Sequence, residues 1–464
     1  MIFKKRVSEY MKNNFSEVLH TTLNPAGPGV VRIHLVPPRN DDGDAGASVA
    51  IINGQDIVPV NTSWSILLAE FIKAVNAYSG RPVHDEDVAD IIRNTLKGVR
   101  KVYPLLSGKL IKNDIYKIMN TFQQIARGES TDEAIGCLNL GDYSVFMRAP
   151  HRMDLMVSAM TREGSWHCNQ RCIHCYAAGQ PLSEERELST EEWKAVIDKC
   201  REVGIPQLTF TGGEPTMRED LVELIEHSAW FVTRLNTNGL ALTSEFCRRL
   251  HAASLDSMQI TFYSAVEKIH NTLVGAEHYA DTVAGIENAI EAGINISVNT
   301  PLCTLNRDYR STLEFLHSKG VIYVTCSGLI TTGRAACESS ERLQLSESEI
   351  SEILREAVEY CHANGMEISF TSPGWVDGAL CSELGISTPT CGACLSNMAI
   401  TPGGNVVPCQ SWLSDDALGN MLSDDWDDIW ESEACRKRRE YSAFMLGECP
   451  LRLYADCEEG KSDE

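Results

Sequence analysis

Residues 155–175 read Leu155-Met-Val-Ser-Ala-Met160-Thr-Arg-Glu-Gly-Ser-Trp-His-Cys168-Asn-Gln-Arg-Cys172-Ile-His-Cys175. The apolar run Leu155–Met160 has the length of a buried strand, and a polar loop with three cysteines follows it directly. Five further strand-length runs follow at Gln207–Phe210, Phe231–Leu235, Met258–Phe262, Ile294–Val298 and Val321–Thr325, with helical segments between them. Ser189-x-x-Glu192 and Ser346-x-x-Glu349 are capping boxes. The first opens a helix with Trp193, Val196, Ile197 and Cys200 on one face; the second opens one with Ile350, Ile353, Leu354, Ala357, Val358 and Cys361. Strands alternating with helices predict βα units on a parallel sheet. Six units over residues 150–370 make a partial (β/α)6 TIM-like barrel, with reactive groups at the C-terminal strand ends.

Three thiolates within eight residues can converge on one [4Fe–4S] cube from a single loop, leaving the fourth iron open to an outside ligand. Two other readings of the spacing stand beside this one. His174 could complete a zinc site, or the cysteines could be buried packing residues.

The flanking regions differ in composition. Residues 1–140 read as an α+β module. Val31, Ile33 and Leu35 alternate as in a half-buried strand, and Ser48–Ile52 and Gln55–Val60 flank the hairpin dipeptide Asn53-Gly54. Three apolar stripes then predict helices: Trp64, Leu67, Leu68, Phe71, Ile72 and Val75; Val88, Ile91, Ile92, Leu96 and Val99; Ile115, Ile118, Met119, Phe122 and Ile125. Three strands and then three helices is an order that a winged-helix-like module uses. Arg127–Glu133 is the predicted linker. Residues 371–464 are irregular, rich in Gly, Pro and Cys, and end in an acidic tail.

The net charge of −23 arises entirely beyond residue 150, the first 150 residues being close to neutral, which argues against a nucleic-acid partner. No apolar run suits a membrane span, and the basic N-terminus lacks the apolar stretch of a secretory signal, so the expected location is cytoplasmic. The 17 cysteines are too unevenly spaced for a disulfide framework. Clustered ones point to metal chemistry, and isolated ones such as Cys137, Cys200, Cys247 and Cys361 to packing.

Taken in order, the motifs resemble those of the radical SAM (S-adenosylmethionine) superfamily. They are C-x3-C-x2-C after the first strand, Thr211-Gly212-Gly213-Glu214-Pro215 after the second, Leu235-Asn-Thr-Asn-Gly239 after the third, Gln259-Ile-Thr-Phe262 on the fourth, Val298-Asn-Thr300 on the fifth and Gly333-Arg-Ala335 after the sixth. The resemblance implies that Cys168, Cys172 and Cys175 hold a [4Fe–4S] cluster whose open iron binds SAM. It also implies an electron donor such as ferredoxin or flavodoxin. Reductive cleavage then gives a 5′-deoxyadenosyl radical. Gly212 and Gly213 would let SAM approach the backbone, and Glu214 would accept from its amino group. His174 stands where the family usually has an aromatic residue, near the adenine. Asn236, Thr261 and Asn299 would reach the ribose or methionine moiety, a purely structural turn role being the alternative for each.

Cys391-Gly-Ala-Cys394, followed by Gly404-x4-Cys409, resembles the auxiliary-cluster extension called SPASM, or the shorter twitch. The family's last cysteine run is incomplete, with Arg452 at one cysteine position. One auxiliary [4Fe–4S] cluster on Cys391, Cys394, Cys409 and Cys449 is therefore expected, with Cys457 as an alternative to Cys449 and a zinc knuckle as the structural alternative. The N-terminal module resembles a RiPP recognition element, which implies a ribosomally made precursor peptide whose leader it binds, and cross-linking or epimerisation as the reaction. Cys303 and Cys326, near the fifth and sixth strand ends, are candidate hydrogen donors, with packing as their alternative. The competing enzyme reading is a small-molecule dehydrogenase or cofactor-biosynthesis enzyme. A non-enzymatic Fe–S electron-transfer protein would leave the Gly212–Glu214 turn without a purpose.

Overall fold

A computed structural model describes residues 2–14, 18–23, 31–37, 48–52, 56–78, 83–126, 144, 147–336, 343–414, 417–444 and 449–451. The Pro37–Gly46 loop (residue 37 apart), the Asn53-Gly54 turn, the Arg127–Glu133 linker, Cys137, Arg452 and Cys457 lie outside these residues, as do the side chains of Phe122 and Ile125. The chain divides into two compact units, Met1–His151 with Cys200–Pro206, and Arg152–Lys199 with Gln207–Glu464.

In the first unit, helix α1 (Ile2–Asn14) precedes an antiparallel sheet β1-β2-β3-β4 formed by Leu19–Leu23, Val31–Val36, Ser48–Ile52 and Asp56–Val60. Helices α2 (Thr62–Asn76), α3 (Asp85–Val102) and α4 (Gly108–Ala126) follow. The Asn61 side chain caps α2 by accepting from the amides of Ser63 and Trp64. Strand β1 and helix α1 are additions to the expected three strands and three helices. In β1 only Thr21 is buried, so this edge strand shows no apolar alternation. Among the described side chains of helix α1, Met11 is fully buried, Val7 and Tyr10 pack against the same core, and Tyr10 donates to Glu70 of α2. The core joins Ile33, Leu35, Ala50 and Ile52 of the sheet to Ile66, Leu68, Ile72, Ile92 and Ile115 of the helices.

Among the described residues, the second unit is built on seven parallel strands that follow in sequential order. These are β5 (Arg152–Ser158), β8 (Gln207–Gly212), β9 (Val232–Thr237), β10 (Ser257–Thr261), β11 (Asn295–Pro301), β12 (Tyr323–Ser327) and β13 (Glu367–Phe370). They lie in sequential order from β5 to β13. A two-residue hairpin, β6 (Thr161–Arg162) with β7 (Ser165–Trp166), turns through Glu163 and Gly164, both at positive φ. Three strands from the C-terminal region extend the sheet beyond β5: β14 (Asn397–Ile400), parallel to β5, then β15 (Asn405–Val407) and β16 (Gly419–Asn420), both antiparallel. Both capping boxes form, Ser189 with Glu192 and Ser346 with Glu349.

Six parallel strands were the expectation, and β13 corrects it. Glu-Ile-Ser-Phe is only four residues long and buries two of them, too short a pattern to stand out. Strand β5 also starts earlier than Leu155, because Arg152 and Asp154 occupy inward positions that look loop-like in sequence. That polarity is general. Alternate residues Leu208, Phe210, Leu235, Met258, Ile260, Val298 and Val324 are buried apolar residues, whereas Thr209, Arg234, Asn236, Gln259, Thr261, Asn299 and Thr325 line a cavity. Parallel strands buried on both faces are ordinarily apolar throughout, so one polar face marks a working interior.

Ile72 is fully buried in the first unit's core. Ile72→Ala should destabilise that unit by about 2–5 kcal/mol, measured as faster amide exchange in α2 and β3 and an earlier first thermal transition.

Candidate active site

The cluster loop leaves β5 through the β6–β7 hairpin and is tied down from three sides. The Trp166 indole donates to the Gln170 carbonyl at 2.8 Å. The amides of Arg171 and Ile173 donate to the carbonyls of Val274 and Leu273 at 3.0 and 3.1 Å. From beyond β12, the Arg334 amide donates to the Cys175 carbonyl at 3.0 Å and its guanidinium to the Cys172 carbonyl at 3.3 Å. That guanidinium also stacks on Trp166, 4.2 Å from the ring centroid. Gly333 has φ +59°, and a Cβ there would lie 2.3 Å from the Tyr176 carbonyl. Only glycine fits both the conformation and the approach.

Cys168, Cys172 and Cys175 line one cavity of about 530 Å³. Burial pushes the Cys168 thiol up to about 12 and raises Cys172 and Cys175 as well, with Cys172 further raised by its two neighbours. Three half-buried soft donors from one loop suit a thiophilic iron–sulfur centre, whose charge would favour the thiolates. His174 lines the same cavity, packs edge-on to Tyr263 at 5.1 Å, and leaves Nε2 without a partner. Burial lowers its pKa to about 4, so the ring is neutral at ordinary pH.

Opposite the loop, β8 ends in Gly212-Gly213-Glu214. Gly212 has φ +137°, and a Cβ would sit 2.3 Å from the Ser158 carbonyl. That carbonyl accepts from the Gly213 amide at 2.7 Å, clamping the ends of β5 and β8 together. The Glu214 carboxylate is buried and largely occupied by protein. Oε1 accepts from the Thr216 amide and from the hydroxyls of Thr216 and Thr237 at 3.1, 2.6 and 2.7 Å; Oε2 accepts from the Asn238 amide at 2.8 Å. Burial still raises its pKa. Glu214 thus fastens the turn to the end of β9 and keeps acceptor capacity at Oε2. Asn236, Thr261 and Asn299 all line the cavity; Asn236 Oδ1 is buried without a partner, and Asn299 Oδ1 accepts from Thr325 at 2.8 Å.

The family model of the radical SAM superfamily matches residues 167–316, and that of an iron–sulfur cluster-binding domain, SPASM, matches residues 391–458. The chain therefore carries a radical SAM domain and, C-terminal to it, a SPASM domain. It is an enzyme, and its cofactors are SAM, the [4Fe–4S] cluster that binds SAM, and auxiliary iron–sulfur chemistry from the SPASM region. An Fe-coproporphyrin III synthase of Methanosarcina barkeri is 31% identical over 198 residues, 42% of this chain and 48% of that protein. The match thus spans about half of that relative's length. An AdoMet-dependent heme synthase of the same organism is 28% identical over 306 residues, 62% of this chain and 86% of that protein. Among solved structures, Streptococcus suis SuiB bound to its precursor peptide SuiA superposes with TM-score 0.58 at 12% identity, covering 88% of this chain and 93% of that one, a likeness of fold.

In this radical SAM chain the SPASM cysteines approach through β14 and β15. Cys391, Cys409 and Cys449 line the cavity. Cys394 does not; it is fully buried at φ +54° and hydrogen-bonded to Cys435, a residue the sequence motifs did not single out. Cys435 lies in helix Glu433–Phe444, where no spacing signal marks it. The Cys394 contact and Arg439, whose guanidinium donates to its sulfur at 3.7 Å, hold its pKa below the usual thiol value. From the same helix Ser442 donates to the Ala393 carbonyl at 2.7 Å and lies 3.5 Å from the Cys391 sulfur. Cys303 is buried in an apolar cluster with Tyr263, Leu273, Val274 and Leu329, and Cys326 is fully buried on β12. Neither lines the cavity. No helix among the described residues is long and apolar enough to cross a membrane.

Gly333→Ala should push the Tyr176 carbonyl away and loosen the loop. Iron retained after reconstitution and desalting should fall by roughly twofold or more, while the helical circular dichroism stays unchanged.

Proposed function

We propose that this enzyme holds its SAM-binding cluster on Cys168, Cys172 and Cys175 and an auxiliary cluster on Cys391, Cys409 and Cys449, and that it acts on a small molecule, as a cofactor-biosynthesis enzyme does. The observation behind this reading is that all six thiols border one cavity, together with the Gly212–Glu214 turn. Bound there, cluster and SAM supply reductive cleavage to a 5′-deoxyadenosyl radical, with the electron drawn from a donor such as ferredoxin or flavodoxin. The chain's own part is positional. Gly212 and Gly213 leave room at the β8 end, Glu214 Oε2 offers an acceptor, neutral His174 walls one side, and Asn236, Thr261 and Asn299 present polar groups. In this reading the seven parallel strands act as a partial (β/α) barrel, with chemistry at their C-terminal ends.

The substrate preference comes from the curated relatives, whose names are those of a coproporphyrin synthase and a heme synthase. They favour a small molecule over the precursor peptide that the resemblance of the N-terminal module implies. Peptide modification is a second reading, favoured by the first unit. A sheet followed by three helices could serve as a winged-helix-like recognition element, pairing a leader peptide with a sheet edge. SuiB, solved with a precursor peptide, shares the fold.

Reconstituted and reduced without oxygen, the protein should convert SAM to 5′-deoxyadenosine, and Cys168→Ala should abolish this. Product formation by that variant at the wild-type rate would defeat the proposal. Iron analysis should give about eight irons per chain and about four for Cys409→Ala; zinc at the second site would refute the auxiliary cluster. Binding of Fe-coproporphyrin III supports the first substrate reading. Micromolar affinity for a precursor peptide, with none for the porphyrin, favours the second.

A further inference from the structure

The polar face of the parallel sheet carries a charge that the protein does not neutralise. Asp154, Thr209 and Arg234 lie in one row across β5, β8 and β9, paired Asp154 with Thr209 and Thr209 with Arg234. All three line the cavity that also holds the six cluster-site cysteines, and Arg152 joins them from the start of β5. Asp154 is committed to Arg152, with Oδ1 2.9 Å from Nε and Oδ2 3.3 Å from Nη2. Arg234 forms no ion pair within 4.0 Å among the described residues. Its Nη2 donates to the Ser297 hydroxyl at 3.2 Å, and its buried Nε has no partner. The other charged group on this wall, Glu214, is held among Thr216, Thr237 and Asn238 at the far end of β8. Two guanidinium groups therefore face one carboxylate, inside a cavity.

Burial and the neighbouring Arg152 lower the Arg234 pKa to about 10, with Asp154 opposing, so the group is still cationic at neutral pH. A desolvated, unpaired cation is costly to keep buried. Folds keep such a group where a ligand completes it, and a guanidinium suits a carboxylate because its planar fork can donate two parallel hydrogen bonds. Two unpartnered buried acceptors lie close in the strand pattern: Thr209 Oγ1, its register neighbour, and Asn236 Oδ1, two residues on along β9. They can take donors from the rest of the same ligand.

We propose that Arg234, supported by Arg152, is a carboxylate-binding subsite that fixes the substrate in the cavity shared by the two cluster sites. This rests on the small-molecule reading above and narrows it to a substrate bearing a carboxylate.

The test uses the reconstituted, SAM-loaded enzyme, with propionate as probe against propionamide, chloride and phosphate at equal ionic strength. Propionate should raise the melting temperature by about 2 °C, the other three by less than half of that. Arg234→Met should abolish the propionate response, and Arg234→Lys should retain part of it. Arg234→Met should also melt no lower than wild type without added anion, because it removes an unpaired buried charge. Equal shifts with propionamide or chloride, an undiminished response in Arg234→Met, or a larger shift with phosphate would each overturn the proposal. So would a loss of SAM affinity in Arg234→Met as large as the loss of propionate response, which would assign the guanidinium to the carboxylate of SAM. Formation of 5′-deoxyadenosine by the wild type is measured in parallel, so failure of the radical SAM reading is separable from failure of the subsite.

Discussion

Strand β5 is hydrogen-bonded on both flanks, and the site depends on that. On one side it pairs with β8, so the Ser158 carbonyl meets the Gly213 amide and the glycine turn stands beside the start of the cluster loop. On the other it pairs with β14, from Asn397 opposite Arg152 to Ile400 opposite Leu155, which brings the SPASM cysteines to the same cavity. An edge strand in this position would expose its unpaired amides and carbonyls and leave the C-terminal region to dock by side chains alone. With β14 in register, the two groups of cavity-lining cysteines are joined by a backbone ladder whose spacing is set by peptide geometry.

The cavity walls show how the fold divides labour along each strand. Groups at or just beyond the C-terminal strand ends, namely the cluster loop, Gly212–Glu214 and the Gly333–Ala335 turn, are fastened by backbone contacts together with the Glu214 carboxylate, the Trp166 indole and the Arg334 guanidinium. Groups deeper in the strands, Asp154, Thr209, Arg234 and Gln259, line the same cavity. Backbone clamps need glycine or a fixed turn, so they leave a sequence motif. Inward side chains need only the period of two, and any polar residue satisfies it.

That division explains what was legible in the sequence. The cysteine loop and both capping boxes could be read directly, because each is a local pattern with one physical purpose. The strand runs were visible to within a few residues, since their outward faces bury Leu208, Phe210, Met258, Ile260 and Val298. Strand β1, with one buried residue, and the four-residue β13 have too little apolar content to register. Cys435 was illegible for a different reason. Its partner Cys394 is 41 positions earlier in the chain, and only the packing of its helix brings the two thiols together. The isolation of Arg234 is likewise a tertiary fact, for the sequence shows an arginine in a strand but not that Asp154 is already taken by Arg152.

Initiation and substrate choice are thus encoded at different depths of the same wall, with different freedom to change. A residue such as Gly212 cannot vary without moving the Ser158 carbonyl, and through it the ends of two strands. Arg234 can vary without disturbing any backbone hydrogen bond, because its partners are side chains or cavity. Proteins that share the motif-bearing turns can therefore share the initiating chemistry while differing in what they bind below it. The residues that decide between substrates are the inward ones of β5, β8 and β9, where an unpaired guanidinium constrains the ligand more tightly than any family motif does.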